Sequence, residues 1–335
     1  MNRIIFFFWN QKEKRLRVLW RLIFHGLVMF FFIFVIASLL AVINSFFRDS
    51  FLSFLGQEYE EFLMLFLGLL VTFLATLLSM LWAGKKLDKR NFADYGLNFG
   101  KNSFYDFIFG FLLGAGLISI IFLLQYSLSW VEIKDTFVSI RPGSPFWLDI
   151  LLPFIFFVLV GIEEELLSRG YHLLNLGETL GRMKFPGRKG GLILAVLISS
   201  FLFGFLHINN PSINLLGIIN ISLAGVLMAL GFIFTGSLAF PIGFHISWNF
   251  FQGNIFGFPV SGIKDLPLTL ISIEQKGPDL WTGGVFGPEG GFFSTIILVL
   301  GILLLLLWVK MRYRELNNKL KYRDEIKKAE TELKR

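Results

Sequence analysis

The chain contains no cysteine among its 335 residues. Disulfide bonds, thiolate nucleophiles and cysteine-ligated metal sites are therefore all excluded. Charge is scarce as well, since Asp, Glu, Lys and Arg make up 16% of the residues, whereas soluble globular proteins average about 25%. Hydrophobic residues reach 55%, and 42 of them are phenylalanine. This composition predicts a membrane protein rather than a soluble enzyme.

Long apolar runs define the predicted architecture. A helix needs about 20 apolar residues to cross a bilayer, whereas the strands of a membrane barrel alternate over about 10 residues. The runs in this chain have the helical length, so the sequence predicts an all-α polytopic membrane protein with about eight transmembrane helices. The predicted spans are 22–47, 62–84, 104–128, one that starts near 146, 192–207, 213–234, 238–256 and 292–309.

The distribution of charge predicts the topology. The Lys and Arg residues, 31 in all, concentrate in the N-terminal segment, the connector after 84, the 182–189 loop and the tail after 309. Basic residues concentrate in cytoplasmic loops. With eight spans, both termini are predicted to be cytoplasmic and the 257–290 loop external. Basic loops beside the lipid bilayer account for the net charge of +7 without a nucleic-acid partner.

A cluster of charged residues directly follows the apolar run of the fourth span: Glu163, Glu164, Glu165 and Arg169. A charge at mid-bilayer costs ~3 kcal/mol on insertion scales, so such residues usually have a function. On an α-helix, Glu165 and Arg169 are four residues apart and can pair, whereas Glu164 points about 100° away. The cluster therefore predicts one carboxylate held by a cation and another available for chemistry.

The chain has only four histidines. His207 ends the predicted fifth span, and His245 lies four residues before Asn249, so that this pair shares one helix face. At 1.5 Å per residue, Glu164 and His207 lie about 27 and 25 Å along their helices from the turn that joins them. His245 lies only about 9 Å from the cytoplasmic start of its span, so it is predicted to be less deep in the membrane. Two further histidines fit no pattern, His25 and His172.

Three motifs in this order, Glu164-Glu165-x-x-x-Arg169, Phe203-x-x-x-His207 and His245-x-x-x-Asn249, resemble the CPBP family of intramembrane proteases. This family, also called Abi, includes CAAX proteases and bacteriocin-processing proteins. The resemblance covers residues 85–256, which would form the protease core. An N-terminal two-helix membrane segment (1–84) would precede it, and 257–335 would supply the external loop, the last transmembrane helix and a basic cytoplasmic tail.

The resemblance implies an endopeptidase that hydrolyses membrane-associated peptides or proteins. It implies that Glu164 and His207 activate a water molecule, and that His245 and Asn249 stabilise the oxyanion. The implied catalytic residues are Glu164, Glu165, Arg169, His207, His245 and Asn249. The chemistry agrees, because peptide hydrolysis needs a base for water and preorganised donors for the developing negative charge. The compact motif arrangement favours a bacterial plasma membrane.

A metal site is the main alternative mechanism. Glu164, His207 and His245 could form a three-ligand site for a divalent ion such as zinc, with water as the fourth ligand. No His-Glu-x-x-His segment is present to place two ligands on one helical face. A glutamate base also needs no Lewis acid. The sequence therefore favours hydrolysis without a metal or another cofactor.

Two non-enzymatic functions remain open. The same scaffold occurs in bacteriocin-immunity proteins, so the chain could be a non-catalytic binding protein. The membrane glutamates and histidines could alternatively form the relay of a proton-coupled transporter. Transporters often carry internal repeats, and none is evident here. The structural alternatives are an interhelical ion pair for Glu165 and hydrogen bonding between helices for His245 and Asn249.

Overall fold

A computed structural model describes residues 7–11, 13–56, 59–97, 100–140, 143–185, 187–263 and 268–320. Within them, seven helices are long and apolar enough to cross a membrane. These helices confirm the predicted class, an all-α polytopic membrane protein. The predicted basic tail beyond 320 and the start of the basic N-terminal segment lie outside the described residues.

The described elements alternate long helices with short connections. In chain order they are β1 (Trp9–Asn10), β2 (Arg15–Leu16), α1 (Val18–Leu55), α2 (Glu60–Ala83), a π-helical turn (Gly84–Asp88), a 3-10 turn (Phe92–Tyr95), α3 (Lys101–Ser127), β3 (Val131–Val138), α4 (Phe146–Asp149), α5 (Leu151–Glu165), a π-helical segment (Leu166–Leu173), α6 (Leu174–Leu180), α7 (Gly187–Phe205), α8 (Leu215–Thr235), α9 (Ala239–Phe250), a second π-helical segment (Phe251–Ile255), β4 (Thr269–Gln275), α10 (Asp279–Thr282), two 3-10 turns (Gly284–Phe286 and Pro288–Gly290) and α11 (Phe292–Tyr313).

The chain forms two compact units. The first contains the described residues of Met1–Asn98 and Leu166–Ala195, and the second contains those of Phe99–Glu165 and Val196–Leu320. The predicted division at 84 and 256 follows the motifs rather than compactness, and it stays a prediction.

The first unit contains buried ion pairs, and all of their members except Glu178 are residues that the sequence assigned to cytoplasmic connections. Arg21 donates to Asp88 at 2.6 Å, and both side chains are almost completely buried. Oε2 of Glu178 lies 2.8 Å from Arg15 and 2.9 Å from Arg90. Buried charges are tolerated when they are paired in this way. Part of the basic N-terminal segment and of the connector is therefore internal rather than exposed.

Close helix packing organises the second unit, because glycines let the backbones approach. A Cβ atom on Gly110 of α3 would lie 2.3 Å from the carbonyl oxygen of Phe240 in α9. One on Gly243 would lie 2.4 Å from a main-chain oxygen of α3, and one on Gly161 of α5 would lie 2.8 Å from Ile246. Small residues at helix contacts are typical of membrane proteins. They bring α9 directly against α3 and α5.

Where the sequence predicted a seventh span, 238–256, the structure has a helical stretch shorter than any of the seven candidate spans. It consists of α9, with 12 residues, and the five-residue π-helical segment Phe251–Ile255. All but three residues of α9 are buried. The sequence pattern could not separate such a helix from a lipid-facing one, because both are apolar.

A short antiparallel ladder joins β3 to β4, with Val131 opposite Gln275 and Val138 opposite Thr269. The sequence predicted only loops in these regions. Both segments are short and mix apolar with charged residues, so they give no long apolar run. Since this ladder has only two strands, the helical class is unchanged.

Candidate active site

The central contact of the site joins two helices of the second unit. Glu165 ends α5 and is fully buried, while His245 lies in α9 and is 7% exposed. Nδ1 of His245 lies 2.9 Å from Oε1 of Glu165. An ionised carboxylate only accepts hydrogen bonds, so Nδ1 is the donor. Glu165 therefore fixes the orientation of the imidazole.

Glu164 differs from its neighbour in its surroundings. Its side chain is 34% exposed, and its Oε2 lies 3.9 Å from Nε2 of His245. That oxygen is buried and has no hydrogen-bond partner within the described part of the chain. A separation of 3.9 Å is too long for a direct hydrogen bond. Glu164 therefore presents a carboxylate oxygen beside Nε2 of His245, and that oxygen is available to a third group.

His207 lies just beyond the end of α7, which is a correction to the sequence prediction that it ends the helix. The helix stops at Phe205. The amide of His207 donates to Gly204 at 3.2 Å, while its ring nitrogen Nδ1 lies 2.8 Å from the carbonyl oxygen of Phe203. Carbonyl groups at a helix end lack main-chain partners, and a histidine side chain can satisfy them. Since a carbonyl only accepts, Nδ1 is the donor and Nε2 remains available.

One aromatic ring connects the two histidines. Phe203 contacts His207 at a centroid distance of 5.2 Å and His245 at 6.1 Å, both edge to face. The sequence predicted that His245 lies closer to the cytoplasmic end of its helix than His207 and would be separated from it, but both histidines contact the same ring. That expectation assumed that all helices start at the same level, whereas the position of α9 is set by its glycine contacts with α3 and α5.

The remaining predicted residues lie on the same or adjoining elements. Asn249 follows His245 by one turn of α9 and is 9% exposed. Arg169 belongs to the first unit, where it is 2% exposed in the π-helical segment Leu166–Leu173. In a π-helix the hydrogen bonds run from i to i+5. The α-helical spacing that predicted a pair with Glu165 therefore does not extend through this segment, and that pair stays a prediction.

Sequence reasoning missed one carboxylate near the site. Glu289 lies in the 3-10 turn Pro288–Gly290 and is 9% exposed. Its Oε2 accepts hydrogen bonds from the amide of Ser261 at 2.6 Å and its hydroxyl at 2.9 Å. Burial raises the pKa of Glu289, while the bonds from Ser261 and the charge of His207 act in the opposite direction. A single glutamate in a glycine-rich loop carried no motif that could have identified it.

The donor set does not fit a metal ion in this arrangement. Across the described ranges, no group of three His, Cys, Asp or Glu side chains is placed to hold one. The alternative set of Glu164, His207 and His245 is not such a group, although both histidines contact Phe203. What the arrangement can provide is an oriented imidazole beside an unpaired carboxylate oxygen, a combination suited to moving a proton from water.

Comparison with known proteins gives one match. Residues 145–251 match the family model described as type II CAAX prenyl endopeptidase Rce1-like. No curated protein and no solved structure matches the chain. The matched segment contains all six of the predicted catalytic residues, whereas Glu289 lies outside it. This match over residues 145–251 confirms the resemblance drawn from the three motifs.

Proposed function

We propose that the protein is an intramembrane endopeptidase that hydrolyses peptide bonds of membrane-associated peptides or proteins. The observation that carries the proposal is the unpaired Oε2 of Glu164, 3.9 Å from Nε2 of His245. The family match supports peptidase activity at the level of the family. The partners in this proposal are the substrate and the lipid bilayer, with no nucleic acid.

Glu164 acts as the general base. It removes a proton from water, and the resulting hydroxide attacks the carbonyl carbon of the scissile bond. Glu164 then returns the proton to the amide nitrogen, so that the C–N bond breaks and a free amine leaves. A positioned base of this kind typically contributes about 10²–10⁴-fold to the rate. The resemblance assigns the second contact to the water to His207, whose Nε2 is not used by the bond to Phe203.

His245 and Asn249 stabilise the oxyanion. With Nδ1 donating to Glu165, a protonated His245 presents its Nε2–H as a donor. The attacking oxygen and the oxyanion are bound to the same tetrahedral carbon, so base and donor must lie within a few ångströms of each other. The 3.9 Å between Glu164 and His245 meets this requirement. One such donor is typically worth about 10²–10³-fold in rate.

The proposed reaction uses no metal and no other cofactor. A carboxylate base supplies the activated water by itself. Zinc or another divalent ion held by Glu164, His207 and His245 is the competing mechanism, and chelation distinguishes the two.

In the membrane, we propose that both termini are cytoplasmic and that the site opens toward the cytoplasmic side. This topology requires α9 and the π-helical segment after it to cross the bilayer together as an eighth span. They provide about 25 Å of helix at 1.5 Å per residue, close to the lower limit for a span, about 17 residues. The basic loops support this orientation.

The test compares membrane peptides released by the wild type and by Glu164→Gln. Mass spectrometry of proteoliposomes should identify products that Glu164→Gln forms at least about 10²-fold more slowly. Glu163→Gln is the matched control, because it changes the adjacent glutamate outside the motif and should retain activity. Equal products from the wild type and Glu164→Gln, at equal protein levels, would instead favour an immunity-like binding protein or a transporter.

A further inference from the structure

The buried carboxylate of Glu289 belongs to neither the family match nor the proposed reaction. It lies in the turn that precedes α11, and the residue is 9% exposed. Burying a carboxylate is costly unless donors or charges compensate for the lost hydration. Its presence therefore calls for a structural or a functional reason.

The hydrogen bonds from Ser261 and Gln252 to the carboxylate of Glu289 all end on one of its two oxygens, Oε2. The amide and hydroxyl of Ser261 and Nε2 of Gln252 all donate to Oε2 of Glu289, at 2.6, 2.9 and 3.3 Å. None of these three donors uses Oε1. The carboxylate is therefore oriented by its surroundings while its second oxygen is left for another interaction.

Hydrogen bonds connect Glu289 to the turn that contains His207. The amide of Asn210 donates to the carbonyl oxygen of His207 at 3.0 Å. The side chain of Asn210 donates to the carbonyl oxygen of Ser261 at 3.1 Å, and Ser261 in turn donates to Glu289. The charge of His207 also favours the ionised form of Glu289, so the two groups interact electrostatically as well as through this chain.

The backbone of this turn has a separate anchor. Nδ2 of Asn220 donates to the main-chain oxygen of Glu289 at 2.8 Å and to that of Gly291 at 2.9 Å. The loop can therefore be held in place without a carboxylate at position 289. A glutamine there could still accept the bonds from Ser261, but it could not supply a negative charge near His207.

We infer that Glu289 is a positioning residue for His207, which it holds at the site through Ser261 and through its negative charge. This inference rests on the proposed function, in which His207 contacts the water. It adds to the site a residue from the 257–290 loop, which the motifs do not include.

The test uses two readouts on three variants. Glu289→Gln keeps the shape and removes the charge, Glu289→Asp keeps the charge, and Glu274→Gln is the control because that glutamate is 51% exposed on β4. We expect Glu289→Gln to lower kcat roughly tenfold or more, with KM unchanged, because it loses a charge-assisted interaction. Glu289→Asp should recover most of this loss, and Glu274→Gln should match the wild type.

The second readout does not depend on activity. With only four histidines, ¹⁵N-histidine NMR spectra of the protein in micelles resolve each ring, and His207→Gln assigns the signal of His207. We expect Glu289→Gln to shift the ring signals of His207, whereas Glu274→Gln leaves them unchanged. The signals of His25 and His172, which lie in the first unit, should stay constant in both variants.

The outcomes separate this inference from the proposed function. If the wild type is no more active than Glu164→Gln, the proposed function fails, and the NMR shifts alone decide whether Glu289 positions His207. If the wild type is active but Glu289→Gln retains its kcat or the His207 signals do not move, the inference is wrong. If Glu289→Gln fails to fold, Ser261→Ala replaces it and must shift the same signals; unchanged signals would overturn the inference.

Discussion

The adjacent glutamates Glu164 and Glu165 should respond differently to the same substitution. In Glu165→Gln, the bond to His245 changes from charge-assisted to neutral. Hydrogen bonds to charged groups contribute about 1.5–3 kcal/mol, against about 0.5–1.5 kcal/mol for neutral ones. Glu165 is fully buried, and its Oε1 lies 2.9 Å from Nδ1 of His245. Water therefore does not replace the interaction that the substitution weakens. We expect the free energy of unfolding to fall by roughly 1–2 kcal/mol, and by roughly 3–5 kcal/mol in Glu165→Ala.

Glu164→Gln should leave stability unchanged and remove activity. Oε2 of Glu164 has no hydrogen-bond partner to lose among the described residues, and the side chain is 34% exposed. The change in unfolding free energy should stay within about 0.5 kcal/mol. The loss of the base should lower the cleavage rate about 10²–10⁴-fold.

The assay measures unfolding and cleavage on the same detergent-solubilised samples, with rates corrected for the folded fraction. Glu163→Gln again serves as the control for changing one glutamate of the cluster. Equal destabilisation by Glu164→Gln and Glu165→Gln would refute the division of roles. Full turnover in Glu164→Gln would refute the role of Glu164 as the base.

The remaining predictions concern packing, topology and metal. Gly114→Leu should lower both stability and activity, because a Cβ there would lie 2.3 Å from Oγ of Ser247. Gly116→Leu is the control and should be tolerated, because a Cβ at that position would meet nothing within 4 Å. Thermal melts and cleavage rates of the two variants test this prediction. Impermeant maleimide should label Ser272→Cys only from the external side, since the chain has no native cysteine, and labelling from the cytoplasm alone would reverse the topology. Exhaustive chelation should leave cleavage intact and metal analysis should find less than one zinc per chain; activity that is lost and returns only with a divalent ion would contradict the glutamate-base mechanism.

The sequence could identify the site residues because each carries a polar group on an otherwise apolar helix. Glu164, His207 and His245 were singled out on these grounds. In the structure both histidines contact Phe203, and Glu164 lies 3.9 Å from His245. Their catalytic roles stay predictions. The sequence could not identify Glu289, since its contacts with Ser261 depend on how the 257–290 loop folds back, and no periodicity encodes that path.

Composition and hydrophobic run length determined the fold class by themselves, because a helix that satisfies its own backbone is the main way for long apolar segments to cross a bilayer. The order of the three motifs likewise indicated the resemblance that the family match over residues 145–251 confirms. Only the tertiary structure decided which groups meet. The pairing of Glu165 with His245 depends on glycines that bring α9 close to α3 and α5, and the position of His207 depends on where α7 ends. Such contacts join residues far apart in the chain, so local sequence patterns do not contain them.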